Sequence, residues 1–154
     1  MKLTLITTGK PKKGPLTDLA AFYHGRLTPY WPTTLTEVPQ VKAGTAAHIK
    51  QQEGAAQLAK VPTGSLLVAL DEHGKAFTTR ALATQLEHWQ NQGTSHVCLL
   101  IGGAEGLAEE VKTRADLLLS LSDLTLPHQL ARIVLLEQLY RAATLLAGHP
   151  YHRD

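Results

Sequence analysis

Two short apolar runs leave this chain few possible architectures. Ser65-Leu66-Leu67-Val68-Ala69-Leu70 and His96-Val97-Cys98-Leu99-Leu100-Ile101 are apolar at nearly every position. Neither shows the in–out alternation of a half-exposed strand. Runs this short, bounded by Pro62-Thr63-Gly64 before the first and glycines after the second, suit strands covered on both faces. Such strands need helices above and below them.

The remaining sequence supplies those helices. Leu16, Leu19, Ala20, Tyr23 and Leu27 recur at helical spacing until Pro29 and Pro32. Thr45 is placed to cap a helix reaching about Lys60, with Ile49, Ala56 and Ala59 among its apolar positions. Thr78 or Thr79 caps the next, where Leu82, Leu86 and Trp89 share a face and Asn91-Gln92-Gly93 ends it. A short helix from about Leu107 carries Glu109 and Glu110 in its first turn, where the helix dipole favours them. Gln129 to Ala147 reads as one long helix.

Between the helices, Leu3–Thr7, Thr33–Val38 and Leu117–Leu121 are β-prone. Asp71-Glu72-His73-Gly74 predicts a turn, and the prolines and glycines of residues 9–15 exclude regular structure. Strands alternating with helices define an α/β protein with a mostly parallel sheet flanked by helices. Ligands of such sheets settle at the carboxyl ends of the strands. The loops after Leu70, after Ile101 and after Leu121 fall there.

The last helix is apolar nearly all round, from Leu130 through Ile133, Leu136 and Leu139 to Leu146. A surface helix needs only one apolar face. This one needs partners on two sides, and a second subunit is expected to be one of them.

Composition narrows the partners. The net charge is only +2 over 154 residues, too weak for a protein that grips naked RNA or DNA through phosphates alone. The single Cys98 excludes an internal disulfide and fits a reducing compartment. The opening apolar stretch, Leu3 to Ile6, is too short for a signal peptide or a membrane span, so a cytoplasmic protein without a membrane partner is expected.

Candidate chemistry concentrates in the last third. Gly102-Gly103-Ala104-Glu105-Gly106 lacks both the GxGxxG spacing of dinucleotide folds and the Gly-Lys-Ser/Thr of a P-loop. Glycines after a strand let a ligand approach the backbone, and a tight turn with positive φ uses them equally well. Ser122-Asp123-Leu124-Thr125-Leu126-Pro127 offers backbone donors and acceptors between apolar walls, as an adenine edge requires. The same Ser and Asp can instead cap their own backbone. Glu137 and Arg141 form an i,i+4 pair on a helix apolar enough to bury it in part. The closing His149-Pro150-Tyr151-His152-Arg153-Asp154 puts His, Tyr and Arg on a terminus that most domains leave idle. Arg153 can grip a phosphate with two donors, and Tyr151 can stack on a base. Cys98 reads as a small core residue. His24, His48, His73, His88 and His96 show no metal-ligand spacing, and nothing near His149 and His152 completes a zinc-like set. No metal is expected.

Taken in order, five segments resemble one family, ribosomal RNA large subunit methyltransferase H of the SPOUT superfamily. They are Leu70-Asp71-x-x-Gly74-Lys75, Leu100 to Gly106, Leu121-Ser122-x-Leu124-Thr125-Leu126-Pro127-His128, Glu137-Gln138-Leu139-Tyr140-Arg141-Ala142 and His149-Pro150-Tyr151-His152-Arg153. The resemblance covers the whole chain and implies a single domain, residues 1–154. It implies a C-terminal trefoil knot, which general rules of chain topology would not have suggested. It implies a homodimer using S-adenosylmethionine to methylate N3 of a pseudouridine in helix 69 of 23S ribosomal RNA, on the assembled ribosome. Leu70, Gly102, Gly103 and the stretch Ser122, Asp123, Leu124, Thr125, Leu126, Pro127 would hold the cofactor. Removing the N3 proton needs a nearby cation or base, for which His128, Arg141, Tyr151, His152 and Arg153 are available. The tail of one protomer is expected to close over a cofactor pocket, its own or its partner's. Two other readings share these residues: a SPOUT methyltransferase for a different RNA, and a non-enzymatic RNA- or nucleotide-binding module.

Overall fold

The computed structural model describes residues 1–153. In chain order its elements are β1 (Lys2–Thr8), α1 (Pro15–Leu27), β2 (Thr33–Val38), α2 (Ala46–Leu58), β3 (Leu66–Ala76), α3 (Thr79–Asn91), β4 (His96–Ile101), α4 (Glu109–Arg114), β5 (Leu117–Ser120) and α5 (His128–Leu146). The strands form one sheet in the order β2-β1-β4-β3-β5, and every pair is parallel.

The two apolar runs occupy the middle of this sheet, and their period-two alternation feeds two cores. Leu67, Ala69, Cys98 and Leu100 pack with Leu107, Ala108 and Val111 on the α2 and α4 side. Val68, Val97, Leu99 and Ile101 pack with Leu82 and Leu86 of α3, Leu27 of α1 and Leu136 of α5 on the other. Each fully buried leucine contributes about 1.5–3 kcal/mol. Thr45 and Thr78 cap α2 and α3 by accepting from the backbone N–H of His48 and Ala81, both at 3.1 Å. Thr79 is the first residue inside α3, and its hydroxyl donates to Gln138 Oε1 at 2.8 Å.

Two expectations are corrected. The inner face of α2 is largely polar: Glu53, Gly54 and Gln57 are buried, while of the expected apolar positions Ala56 packs half-buried on the core, Ile49 is half-buried and Ala59 is exposed. The reason is the surface this helix meets. Gly54 lies where a Cβ would come within 2.5 Å of Ala108 Cβ. Gln57 Nε2 donates to Thr8 Oγ1 at 2.7 Å, and Glu53 Oε2 accepts from the Val41 N–H at 3.2 Å. Buried polar groups persist where such partners exist.

Second, Asp71-Glu72-His73-Gly74 does not end its strand. Leu119 of β5 pairs with both Leu70 and Lys75, so the intervening residues bulge out at the carboxyl edge. Gly74 anchors the bulge, since a Cβ there would lie 2.6 Å from the Leu118 carbonyl carbon and 2.8 Å from the Leu119 nitrogen. Backbone cannot step aside as a side chain can. Gly74→Ala is therefore expected to cost about 1–3 kcal/mol. Thermal unfolding will show it as a melting temperature several degrees lower, and an unchanged midpoint would contradict this packing.

Within the protomer α5 finds much of its cover. It packs against α1 and α3, burying Ile133, Leu135, Leu136, Leu139, Tyr140, Ala142 and Ala143 and leaving Leu130 and Leu146 exposed. The larger exposed apolar group lies on α1, at Leu16, Leu19 and Phe22. No helix of the described residues is long and apolar enough to cross a membrane.

Candidate functional site

The three carboxyl-edge loops converge on one cavity of about 400 Å³. Leu70 and Asp71 come from β3, Gly102 and Gly106 from the loop after β4, and Ser122, Leu124, Thr125 and Leu126 from the loop after β5. His128 and Ala131 of α5 close one side.

The glycine loop folds back on itself. The Gly106 N–H donates to the Gly103 carbonyl at 3.0 Å. Gly106, at φ +84°, is the residue that needs a left-handed backbone. Gly102 needs smallness instead: a Cβ there would lie 3.1 Å from both the carbonyl carbon and oxygen of Gly106. Gly103 faces away from this cavity. A Cβ on it would meet Glu53 Oε1 at 2.6 Å, and the residue lines a neighbouring cavity of about 210 Å³.

The loop after β5 is held by its own hydroxyls. Ser122 Oγ accepts from the Leu124 N–H at 2.9 Å, and Ser120 Oγ donates to the Ser122 carbonyl at 3.1 Å. Thr125 Oγ1 donates to Glu72 Oε2 at 3.3 Å, joining this loop to the β3 bulge. Asp123 and Pro127 stand outside the cavity wall, and Pro127 is the N-cap of α5. Leu124 is 76% exposed, an apolar side chain held in solvent at the rim. Asp71 pairs with Lys112 Nζ at 3.1 Å. Burial alone would raise its pKa, but the His73 N–H and Lys112 outweigh that and hold the carboxyl below its ordinary value.

The tail docks elsewhere on α5. Arg141 Nε and Nη2 donate to Glu137 Oε1 at 2.9 and 2.6 Å, and the Tyr151 hydroxyl donates to the same oxygen at 3.1 Å. Gln138 Nε2 donates to Oε2 at 2.6 Å. The Tyr151 ring lies under the Arg141 guanidinium at 4.6 Å and beside the Tyr140 ring at 4.7 Å. His152 Nδ1 is 3.4 Å from Arg141 Nη1, while Arg153 is exposed. Asp154 lies outside the described residues. Glu137 is thus the hub of the tail, a role the sequence did not reveal; only its i,i+4 spacing from Arg141 pointed to it.

Both donors hold their protons. The Glu137 hydrogen bond raises the Arg141 pKa further above neutrality. Burial, then the Glu137 charge, pushes the Tyr151 phenol up to about 12. The folded state therefore binds this proton more tightly than the unfolded chain, whose value lies near 10.0. Stability from this contact is complete below that value and lost as pH rises through about 12. Absorbance titration of wild type against Tyr151→Phe is expected to show the Tyr151 phenol still protonated at about pH 11; its ionisation below that pH would contradict the contact.

Of the expected catalytic set, only His128 lines the cavity. Arg141, Tyr151 and His152 cluster together, and Arg141 stands thirteen positions after His128 along α5, a rise of about 20 Å. Cys98 is fully buried in β4, its thiol pushed up to about 12 by burial, as suits a core residue. Among the described residues no three His, Cys, Asp or Glu side chains gather as a metal set.

A ligand cavity at the carboxyl edge of a parallel sheet fits the family description that matches residues 1–152, "Predicted SPOUT methyltransferase". A solved "probable methylase family protein" from Haemophilus influenzae shares the fold, with a TM-score of 0.55 and 13% identity over 99% of this chain and 70% of that one. The sequence relatives are closer. Ribosomal RNA large subunit methyltransferase H of Rhodospirillum centenum is 48% identical over 153 residues, covering 99% of both chains. The protein of the same name from Syntrophotalea carbinolica is 46% identical over 154 residues, again covering 99% of both. The chain belongs to the SPOUT methyltransferases and, within them, to the family of ribosomal RNA large subunit methyltransferase H.

Proposed function

We propose that the chain transfers a methyl group from S-adenosylmethionine to N3 of a pseudouridine in helix 69 of 23S ribosomal RNA, acting on the assembled ribosome. One observation carries the reading. Three loops close on a single cavity of about 400 Å³, within the range of roughly 300–1,000 Å³ for small-molecule sites. They do so in a chain nearly half identical, along its whole length, to a ribosomal RNA methyltransferase.

The residues present suit this cofactor. Backbone turns line the cavity, and the missing side chain of Gly102 leaves room beside the strand end. Leu70, Gly102, Ser122, Leu124, Thr125 and Leu126 hold the cofactor. Asp123 and Pro127 set the course of their loop, and Gly103 seats the glycine loop on Glu53 from behind. When bound, the cofactor supplies an electrophilic methyl on a sulfonium. The chain supplies alignment and an exit for the N3 proton. Arg141 and Tyr151 keep their own protons, so they orient and polarise the base. Imidazole is the side chain suited to exchange a proton near neutral pH, which gives His128 and His152 that role. Arg153, exposed on the tail, grips the RNA.

The same reading makes the protein a cytoplasmic homodimer, each chain one domain with a C-terminal trefoil knot, with neither DNA nor membrane as partner. The tail cluster stands about 20 Å along α5 from its own cavity, so it completes a site by lying over that of a second copy. Leu16, Leu19 and Phe22 on α1, beside α5, offer the apolar surface for that copy. The dimer is expected to bury on the order of 1,600 Å². Phe22→Glu should then release monomers in sedimentation and lose methyl transfer together. A wild type that is monomeric at micromolar concentration and fully active would refute the dimer.

The functional test is methyl transfer from labelled S-adenosylmethionine to whole ribosomes, free large subunits and naked RNA. Label in the 23S RNA of whole ribosomes is expected. Label in a different RNA would replace the substrate, and absence of cofactor binding would leave only a binding module.

A further inference from the structure

The second cavity, of about 210 Å³, shares His128 and Ala104 with the one described above. Its lining includes Thr8, Gly9, Lys10, Lys12, His128 and Gln129. A smaller hollow shares Thr8, Gly9, His128 and Gln129 with it and adds Arg132. Arg132 Nε is buried and has no hydrogen-bond partner among the described residues. Buried donors are normally paired, so this one calls for an acceptor. Among the described residues no carboxylate lines either hollow. Glu53, behind Gly103, already accepts from the Val41 N–H.

The lysines stand on an anchored loop. The Gly9 N–H donates to the Val38 carbonyl at 2.8 Å, and Gly9 turns the chain at φ +84°. The Thr17 hydroxyl donates to the Lys12 carbonyl, tying the loop to the first turn of α1. Three cations therefore line two hollows that share Thr8, Gly9, His128 and Gln129, in a protein whose net charge is only +2.

We propose that the loop between β1 and α1, with Arg132 of α5, seats a backbone phosphate of the RNA strand that carries the target nucleotide. The inference rests on the methyltransferase reading above. A phosphodiester matches the site in size, charge and acceptor oxygens, and a guanidinium is suited to bind it. His128 and Ala104 belong to the walls of both cavities, so a strand phosphate here holds its neighbouring base at the methyl-transfer cavity. The contact positions the strand and carries no sequence information.

The experiment compares wild type with Lys10→Ala/Lys12→Ala and with Arg132→Met. Three quantities are measured: kcat and KM for ribosomes, ribosome binding by pelleting across a salt series, and S-adenosylmethionine affinity by calorimetry. The lysine pair is expected to raise KM about tenfold, with a much smaller change in kcat. Its slope of log affinity against log salt should be shallower by about 0.7 for each phosphate no longer held. Cofactor affinity should stay at the wild-type value. Inorganic phosphate should compete with ribosome binding by the wild type and not by the lysine pair. Salt slope and KM equal to wild type would overturn the seat, as would a loss of cofactor affinity in their place. Should Arg132→Met fail to fold, the exposed lysines decide alone. A wild type that methylates no RNA would sink the functional reading, while the pelleting arm still judges the seat. A wild type that does not bind ribosomes would sink both.

Discussion

Deleting Pro150–Asp154 is expected to lower methyl transfer to ribosomes by at least about 10²-fold, the scale of losing a positioned acid–base group. Cofactor affinity should change little, because among the described residues none beyond Ala131 lines the carboxyl-edge cavity. The loss follows from how the tail is held. Tyr151 and His152 are gathered on Glu137 and Arg141, and the truncation removes the two tail groups together. The same truncation uncovers Tyr140, which is only 5% exposed and packs against the Tyr151 ring. Some loss of stability is therefore expected too, and thermal unfolding must accompany the rate measurement. Near wild-type transfer by a folded truncated protein would show that the tail only covers α5. Unfolding of the truncated protein would likewise make the tail a packing element and not a catalytic one. Glu137→Gln separates the two roles, since it keeps the tail's length but weakens the shared acceptor. It should reduce transfer without unfolding the chain.

Gly102→Val is expected to weaken S-adenosylmethionine binding by at least about 10²-fold, equivalent to about 2.7 kcal/mol. The Cβ alone would crowd the carbonyl of Gly106 and Leu107 Cδ2, each at 3.1 Å, and the valine methyls would take space at the cavity wall. Titration calorimetry measures the loss, and circular dichroism checks the fold. Unchanged affinity would remove Gly102 from the site. Gly103→Val should behave differently. Its side chain would push Glu53, whose carboxylate is the far end of a flexible chain. Any loss of affinity there would be indirect, through displacement of the glycine loop.

Much of the fold was legible because its signals are local. The two apolar runs became β3 and β4, and Thr45 and Thr78 capped the helices they precede. The carboxyl-edge rule picked out the three loops that line the cavity from the alternation of strands and helices. What the sequence hid depends on partners distant along the chain. Glu53 and Gln57 look like solvent-facing residues until Val41 and Thr8 are brought to them. Asp71 to Gly74 carries the signals of a strand-ending turn, and only the return of Lys75 to β5 makes it a bulge. Nothing local in α5 shows that α1 and α3 of the same chain flank it. The orientation of Gly103 is likewise invisible from a glycine-rich string, whose residues differ only in which neighbour each must avoid.

The bulge in β3 separates two things that most binding sites couple. Leu70 and Lys75 both pair with Leu119, so the sheet is registered on either side of Asp71–Gly74. Within that interval, Asp71, Glu72 and His73 line the cavity, and Glu72 accepts from the loop after β5. Provided Gly74 keeps its seat on β5, the interval can be lengthened, shortened or rewritten without moving a strand. Selectivity at the rim can therefore drift, or be engineered, on a scaffold that stays constant.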